Sequence, residues 1–158
     1  MTAVATTVAL GSIGTDICFK TITLTCSKTI DLITYFATNS HPGFAEFNSL
    51  LTKNDLGVKI SKINQLIIEF REKEETGHIF KKSIKMSIGD VDDAIKKIND
   101  TLDEAKKLKE YHESLYWSTW RKTDCTPVIE KLTLGADLLN LRFNDLEKVI
   151  SIVHSLDK

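Results

Sequence analysis

The chain has 158 residues, 42% of them hydrophobic, with only 2 prolines and 7 glycines. It can bury one full core, but it has too few turn-formers for a sandwich or barrel built from many hairpins. A formal net charge of -1 and a pI near 6.4 exclude an overall basic field, so no nucleic-acid partner is expected. The three cysteines, Cys18, Cys26 and Cys125, are odd in number and lack CxxC spacing. They read as reduced thiols of a cytoplasmic protein.

Charge is spread unevenly along the chain. Residues 1–52 hold only Asp16, Lys20, Lys28, Asp31 and Glu46 out of 43 acidic and basic residues. A segment so poor in charge must be covered by something apolar, either the rest of the fold or an external surface. Its start, Ala3 to Phe19, is rich in small and apolar residues but is broken by Gly11, Gly14 and Asp16, and it falls short of a transmembrane helix. It also lacks the basic lead of a secretory signal.

Helical spacing of Ile13, Ile17, Leu24, Ile33 and Phe36 predicts a first helix, although the threonines around them are β-branched and weaken helix propensity. Asn39-Ser40-His41-Pro42-Gly43 ends it, because a residue before proline avoids the α region. A short helix over 44–51 is expected next. Leu56, Ile60, Ile63, Ile67 and Phe70 then repeat by four and three, which aligns them on one face of a helix running toward Gly77.

Ser87-Ile88-Gly89-Asp90 has the form of a capping box and predicts the start of another helix. Its apolar set is Val91, Ala94, Ile95, Ile98, Leu102, Ala105, Leu108 and Leu115. The acid-first pairs Asp92–Lys96, Asp93–Lys97 and Asp103–Lys107 support its wet face. For the last helix, Thr126 is the expected N-cap, with Pro127 at the first helical position. From there Leu132, Ala136, Leu139, Phe143, Leu146, Ile150 and Val153 alternate strictly by four and three. This heptad seam belongs to a helix packed at a shallow angle in a bundle. The fold expected is an all-α antiparallel bundle of four to five helices in a single domain, with residues 1–20 able to be released.

No catalytic constellation is visible. His41, His78, His112 and His154 are scattered without HExxH or ExxH spacing, so no metal or other cofactor is expected. Phosphate-cradling glycine loops and nucleophile elbows are absent too. Cys125 stands just before a helix start, which can lower a thiol pKa, but no base is placed beside it and it reads as a bystander. The chain is expected not to be an enzyme.

Two stretches are candidates for binding. Lys81, Lys82 and Lys85 form a local basic cluster with no acid between Thr76 and Gly89. Such lysines can meet anionic lipid headgroups at about 1 kcal/mol each, or form an ordinary basic loop. Trp117 and Trp120, in Tyr116 to Lys122, suit either packing at the bundle end or a membrane interface.

From Trp120 onward the chain resembles the closing helices of HeLo and HeLo-like domains. The residues that carry the likeness are Trp120, Asp124, Val128, Glu130, Leu132, Leu138, Asn144, Leu146 and Glu147. The small-residue N-terminus is similar to that of the same domains, and the Asp-Glu-Ala-Lys stretch at Asp103 to Lys106 to the four-helix bundle of mixed lineage kinase domain-like protein. The chain departs from the fungal members in being short and in lacking a polar prion-like tail. The resemblance implies a self-associating executioner of regulated cell death, recruited from the cytoplasm to the plasma membrane.

On that reading Ala3, Val4, Val8, Leu10, Ile13, Ile17 and Phe19 would enter the bilayer. Lys81, Lys82 and Lys85 would meet anionic membrane lipids on the charge argument alone. Trp120, Leu132, Leu139, Phe143, Leu146 and Ile150 would be structural. The alternative is a soluble interaction bundle that offers an apolar face to a protein partner.

Overall fold

Five α-helices and a single 3-10 turn make up the fold, with no strand among the described residues. The computed structural model describes the backbone of residues 2–39, 41–115 and 123–158, and side chains within those ranges from residue 19 onward. The helices are α1 (Thr2–Thr38), α2 (Ala45–Lys53), α3 (Leu56–Glu75), α4 (Lys82–Ser114) and α5 (Thr126–Leu156), with the 3-10 turn at Pro42–Phe44 between α1 and α2.

The described half of α1 is threonine-rich, yet it stays helical because its hydroxyls are satisfied within the helix. Thr23, Thr25, Thr29 and Thr38 each donate to the carbonyl four residues back. Its inward positions are Phe19, Ile22, Cys26, Thr29, Ile33 and Phe36, alternating by three and four, and Ile33 is only half-buried. Leu24, expected inside from its spacing, is 56% exposed. The stripe runs through a cysteine and a threonine instead, so a count of large apolar residues alone misplaces it.

α3 buries the five residues its spacing predicts, Leu56, Ile60, Ile63, Ile67 and Phe70. Gly77 closes it with φ +95°, a left-handed conformation that glycine adopts without a Cβ penalty. The amides of Gly77 and His78 donate to the carbonyls of Glu74 and Lys73, the paired bonds of a Schellman cap.

α4 begins at Lys82, five residues before the expected capping box. Ile84 and Ile88 are buried and extend the apolar stripe backward, so Ser87 and Asp90 lie inside a continuous helix. Toward its other end the stripe leaves Leu108 and Leu115 half-buried and passes through Lys109 and His112, which are buried. α5 starts one residue earlier than expected. The Asp124 carboxylate, not the Thr126 side chain, accepts the first free amide, that of Thr126.

Contacts across the bundle set the directions of the helices. Thr29 faces Asn99 and Tyr35 faces Lys109, so α1 runs parallel to α4. Glu104 pairs with Lys131, Ile98 packs under Gly135, and Lys81 pairs with Asp157, so α4 and α5 are antiparallel. α1 packs on both α3 and α4, α4 packs on α5, and α2 closes one end. The consecutive long helices thus alternate in direction as expected. One end of the bundle is marked by Phe80, in the α3–α4 connection, and the other by Phe44 in the 3-10 turn.

Candidate functional site

Two of the features singled out in the sequence, the end of the charge-poor segment and the lysine cluster, meet at the Phe80 end. Phe80 is buried there, with its ring centroid 4.9 Å from Phe70, 4.5 Å from His78 and 6.2 Å from Phe19. Phe19 is 2% exposed and belongs to the core, which corrects its expected place among the bilayer-entering residues. Packing against Phe80 is the physical reason: a benzyl group so enclosed loses about 2–3 kcal/mol if drawn out alone into water. The side chains of Ala3, Val4, Val8, Leu10, Ile13 and Ile17 lie outside the described residues. So do those of Trp117 and Trp120.

The lysine cluster surrounds this same junction. Lys81 and Lys82 are exposed, and Lys85 is half-buried. Lys81 is 3.6 Å from Asp157 and Lys85 is 3.7 Å from Glu74, so two of the three are partly compensated. These are loose pairs on partly wet side chains, worth well under 1 kcal/mol. Arg71, Lys73 and Lys158 add positive charge at this end, against Glu72, Glu75 and the two paired acids. Exposed apolar side chains stand among them: Ile79 is 86% and Leu156 78% exposed.

The seam of α5 behaves differently along its length. Leu132, Ala136, Leu139 and Leu146 are buried, whereas Phe143, Ile150 and Val153 are half-buried. On that less covered side a groove of about 250 Å³ opens between α3 and α5, lined by Ile63, Leu139 and Phe143 with Lys59 and Glu147 at its edge. Lys59 Nζ donates to Asn140 Oδ1 at 3.0 Å across it.

At the Phe44 end the structure gathers polar groups that the sequence reading left apart. The Gly43 amide donates to His41 Nδ1 at 3.0 Å, and Cys125 Sγ donates to the Gly43 carbonyl at 3.1 Å. The His41 and His112 rings meet edge to face at 5.2 Å. Lys109, 2% exposed, donates to Glu113 at 2.6 Å and approaches the Tyr35 hydroxyl at 3.5 Å. Burial works against its charge, but the hydrogen bonds to Glu113 and Tyr35 outweigh it and hold its pKa above the usual lysine value. The available signal was register: 109 and 112 continue the three-and-four spacing of 98, 102 and 105.

The thiols near this cluster and in the α1–α4 interface are not activated. Burial pushes the Cys125 thiol up, and Asp124 and Glu46 push it further, opposite to the effect of a helix start. Cys26 is pushed up to about 12 by burial and by Asp92 across the α1–α4 interface. Both thiols are therefore poor nucleophiles. Among the described residues no group of three or more His, Cys, Asp or Glu side chains is placed to hold a metal ion, and no helix is long and apolar enough to cross a membrane.

Fold and surface together define a helical bundle with one apolar-studded end where lysine and arginine modestly outnumber the acids and three of them are ion-paired. In comparisons with known proteins, no family model matches the chain, and no curated protein or solved structure matches it significantly.

Proposed function

We propose that this chain is a non-enzymatic helical module that docks on anionic membranes through its Phe80 end and self-associates there, in the manner of the cell-death domains its closing helices resemble. One observation carries the reading. The end of the charge-poor segment near Phe19, the stretch that carries Ile79 and the lysine cluster, and the exposed Leu156 are far apart in sequence and lie together in the fold. A basic rim delivers such a surface to lipid headgroups, while apolar side chains gain from entering the acyl boundary.

Vesicle leakage tests it. The full chain should release dye from phosphatidylserine-containing vesicles at low salt and leave phosphatidylcholine vesicles intact. Exchanging Val4 and Val8 for aspartate should abolish release. Lys82→Gln, which removes a lysine with no ion-pair partner among the described residues, should weaken vesicle binding about fivefold, the equivalent of about 1 kcal/mol. Leakage that ignores lipid charge and both sets of substitutions would sink the proposal.

A second reading, a protein-interaction bundle without membrane activity, is favoured by the groove between α3 and α5. It predicts a partner helix bound in lipid-free solution and lost in Phe143→Asp, with vesicles left intact throughout.

A further inference from the structure

At the opposite end of the molecule from the basic surface, the last turns of α1, the helix α2 and the start of α3 line an open groove of about 390 Å³. Its volume lies within the range of small-molecule sites. The apolar part of the lining comes from Ile33, Phe36, Leu51 and Val58, of which Phe36 and Leu51 are buried. The polar part comes from Asn48, Thr52 and Asp55; the Thr52 hydroxyl already donates to the Asn48 carbonyl, and Asp55 carries the only charge in the lining. Asn48 Oδ1 is buried with no hydrogen-bond partner, and Asp55 supplies a carboxylate.

Asp55 is the unusual residue. It occupies the N-cap position of α3, where an aspartate normally accepts from the free amides of the first turn. Instead its backbone is left-handed, with φ 52° and ψ 38°, and its side chain makes no cap hydrogen bond. Among the described residues the carboxylate has neither a hydrogen bond nor an ion pair. A non-glycine residue held in this conformation is uncommon and marks a place where the fold constrains a side chain. Here it stands exposed at the rim of the groove, which Asn48 with its unsatisfied oxygen also lines.

We infer that this groove binds a protonated amine carried on an apolar body: the ammonium donates to the Asp55 carboxylate and Asn48 Oδ1 while the body packs against Phe36 and Leu51. An ammonium brings donors and no acceptor, which suits a site offering a carboxylate and an amide oxygen. Carboxylates and phosphates are disfavoured by the same Asp55 charge. The inference is independent of the membrane reading, since it uses none of the residues at the Phe80 end.

Amide chemical-shift titration of the full chain with phenethylammonium tests it. The amides of Leu51, Thr52, Gly57 and Val58 should shift saturably, with no such shifts from phenylpropionate, which has the same ring and the opposite charge. Asp55→Asn should weaken binding about tenfold or more, as expected for loss of a charge-assisted bond. Asparagine tolerates the left-handed conformation, so the variant keeps the fold, and an unchanged spectrum elsewhere verifies that. N-acetyl-lysine amide, titrated in parallel, separates the two sources of the amine. Tighter binding of phenethylammonium points to a free small molecule, and tighter binding of the lysine derivative to a side chain of a partner protein. Equal response to amine and carboxylate, shifts confined to other residues, or an Asp55→Asn variant that binds as well as the parent would each overturn the inference.

Discussion

α1 lies between two unlike neighbours. Toward α3 it meets a continuous apolar face, Leu56, Ile60, Ile63, Ile67 and Phe70, close enough that Gly57 would bring a Cβ to 3.6 Å from Ile33. Toward α4 the contact is studded with polar groups. Asn99 donates to Thr29 at 3.0 Å, Lys106 and Lys109 stand over the Tyr35 ring at 4.8 and 5.2 Å, and Asp92 lies buried near Cys26 with Lys96 at 2.7 Å. The first interface gains stability from area removed from water. The second gains little net stability per bond, because each polar group exchanges water for a protein partner. What it contributes is register: a misaligned α1 would strand buried donors and acceptors, whereas apolar side chains tolerate sliding.

Four substitutions break or sharpen that contrast. Ile67→Ala on the dry side should cost about 2–5 kcal/mol in urea unfolding, since Ile67 is fully buried and a cavity would remain. Thr29→Val on the polar side should cost less, about 1–2 kcal/mol, by leaving the Asn99 amide unpaired. Adding Asn99→Leu to it should recover much of the loss, an outcome the dry interface could not show. The smallest effect is expected at Gly89, whose added Cβ would meet nothing within 4 Å. If α4 runs unbroken from Lys82, Gly89→Ala stabilises by about 0.5–1 kcal/mol. No gain in thermal or urea midpoint would place the helix start at Ser87 after all.

The errors in reading the sequence have a common cause. The capping-box pattern at Ser87 to Asp90 is a local signal, and the tertiary stripe overrode it because Ile84 and Ile88 have a core to reach. Leu24 has the hydrophobicity of a core residue and Lys109 and His112 do not, yet register exposes the first and buries the other two. A lysine can hold a core position when its stem is apolar and its ammonium reaches Glu113 and Tyr35. The candidate site was legible only in pieces. The charge-poor start and the lysine cluster are visible as composition, but nothing local says that residues near 19 and 81 share one end of a bundle.

From the sequence alone came the helical class, the boundaries set by Pro42 and Gly77, and the inward faces of α3 and the first part of α5. All follow from periodicity and backbone chemistry acting over a few turns. The tertiary structure alone decided which ends meet, how Lys81 and Lys85 are compensated, where Cys26, Lys109 and His112 are buried, and that Asp55 is left without a partner. These depend on distances between helices that are remote in sequence, and a pattern with a period of one helical turn carries no information about them.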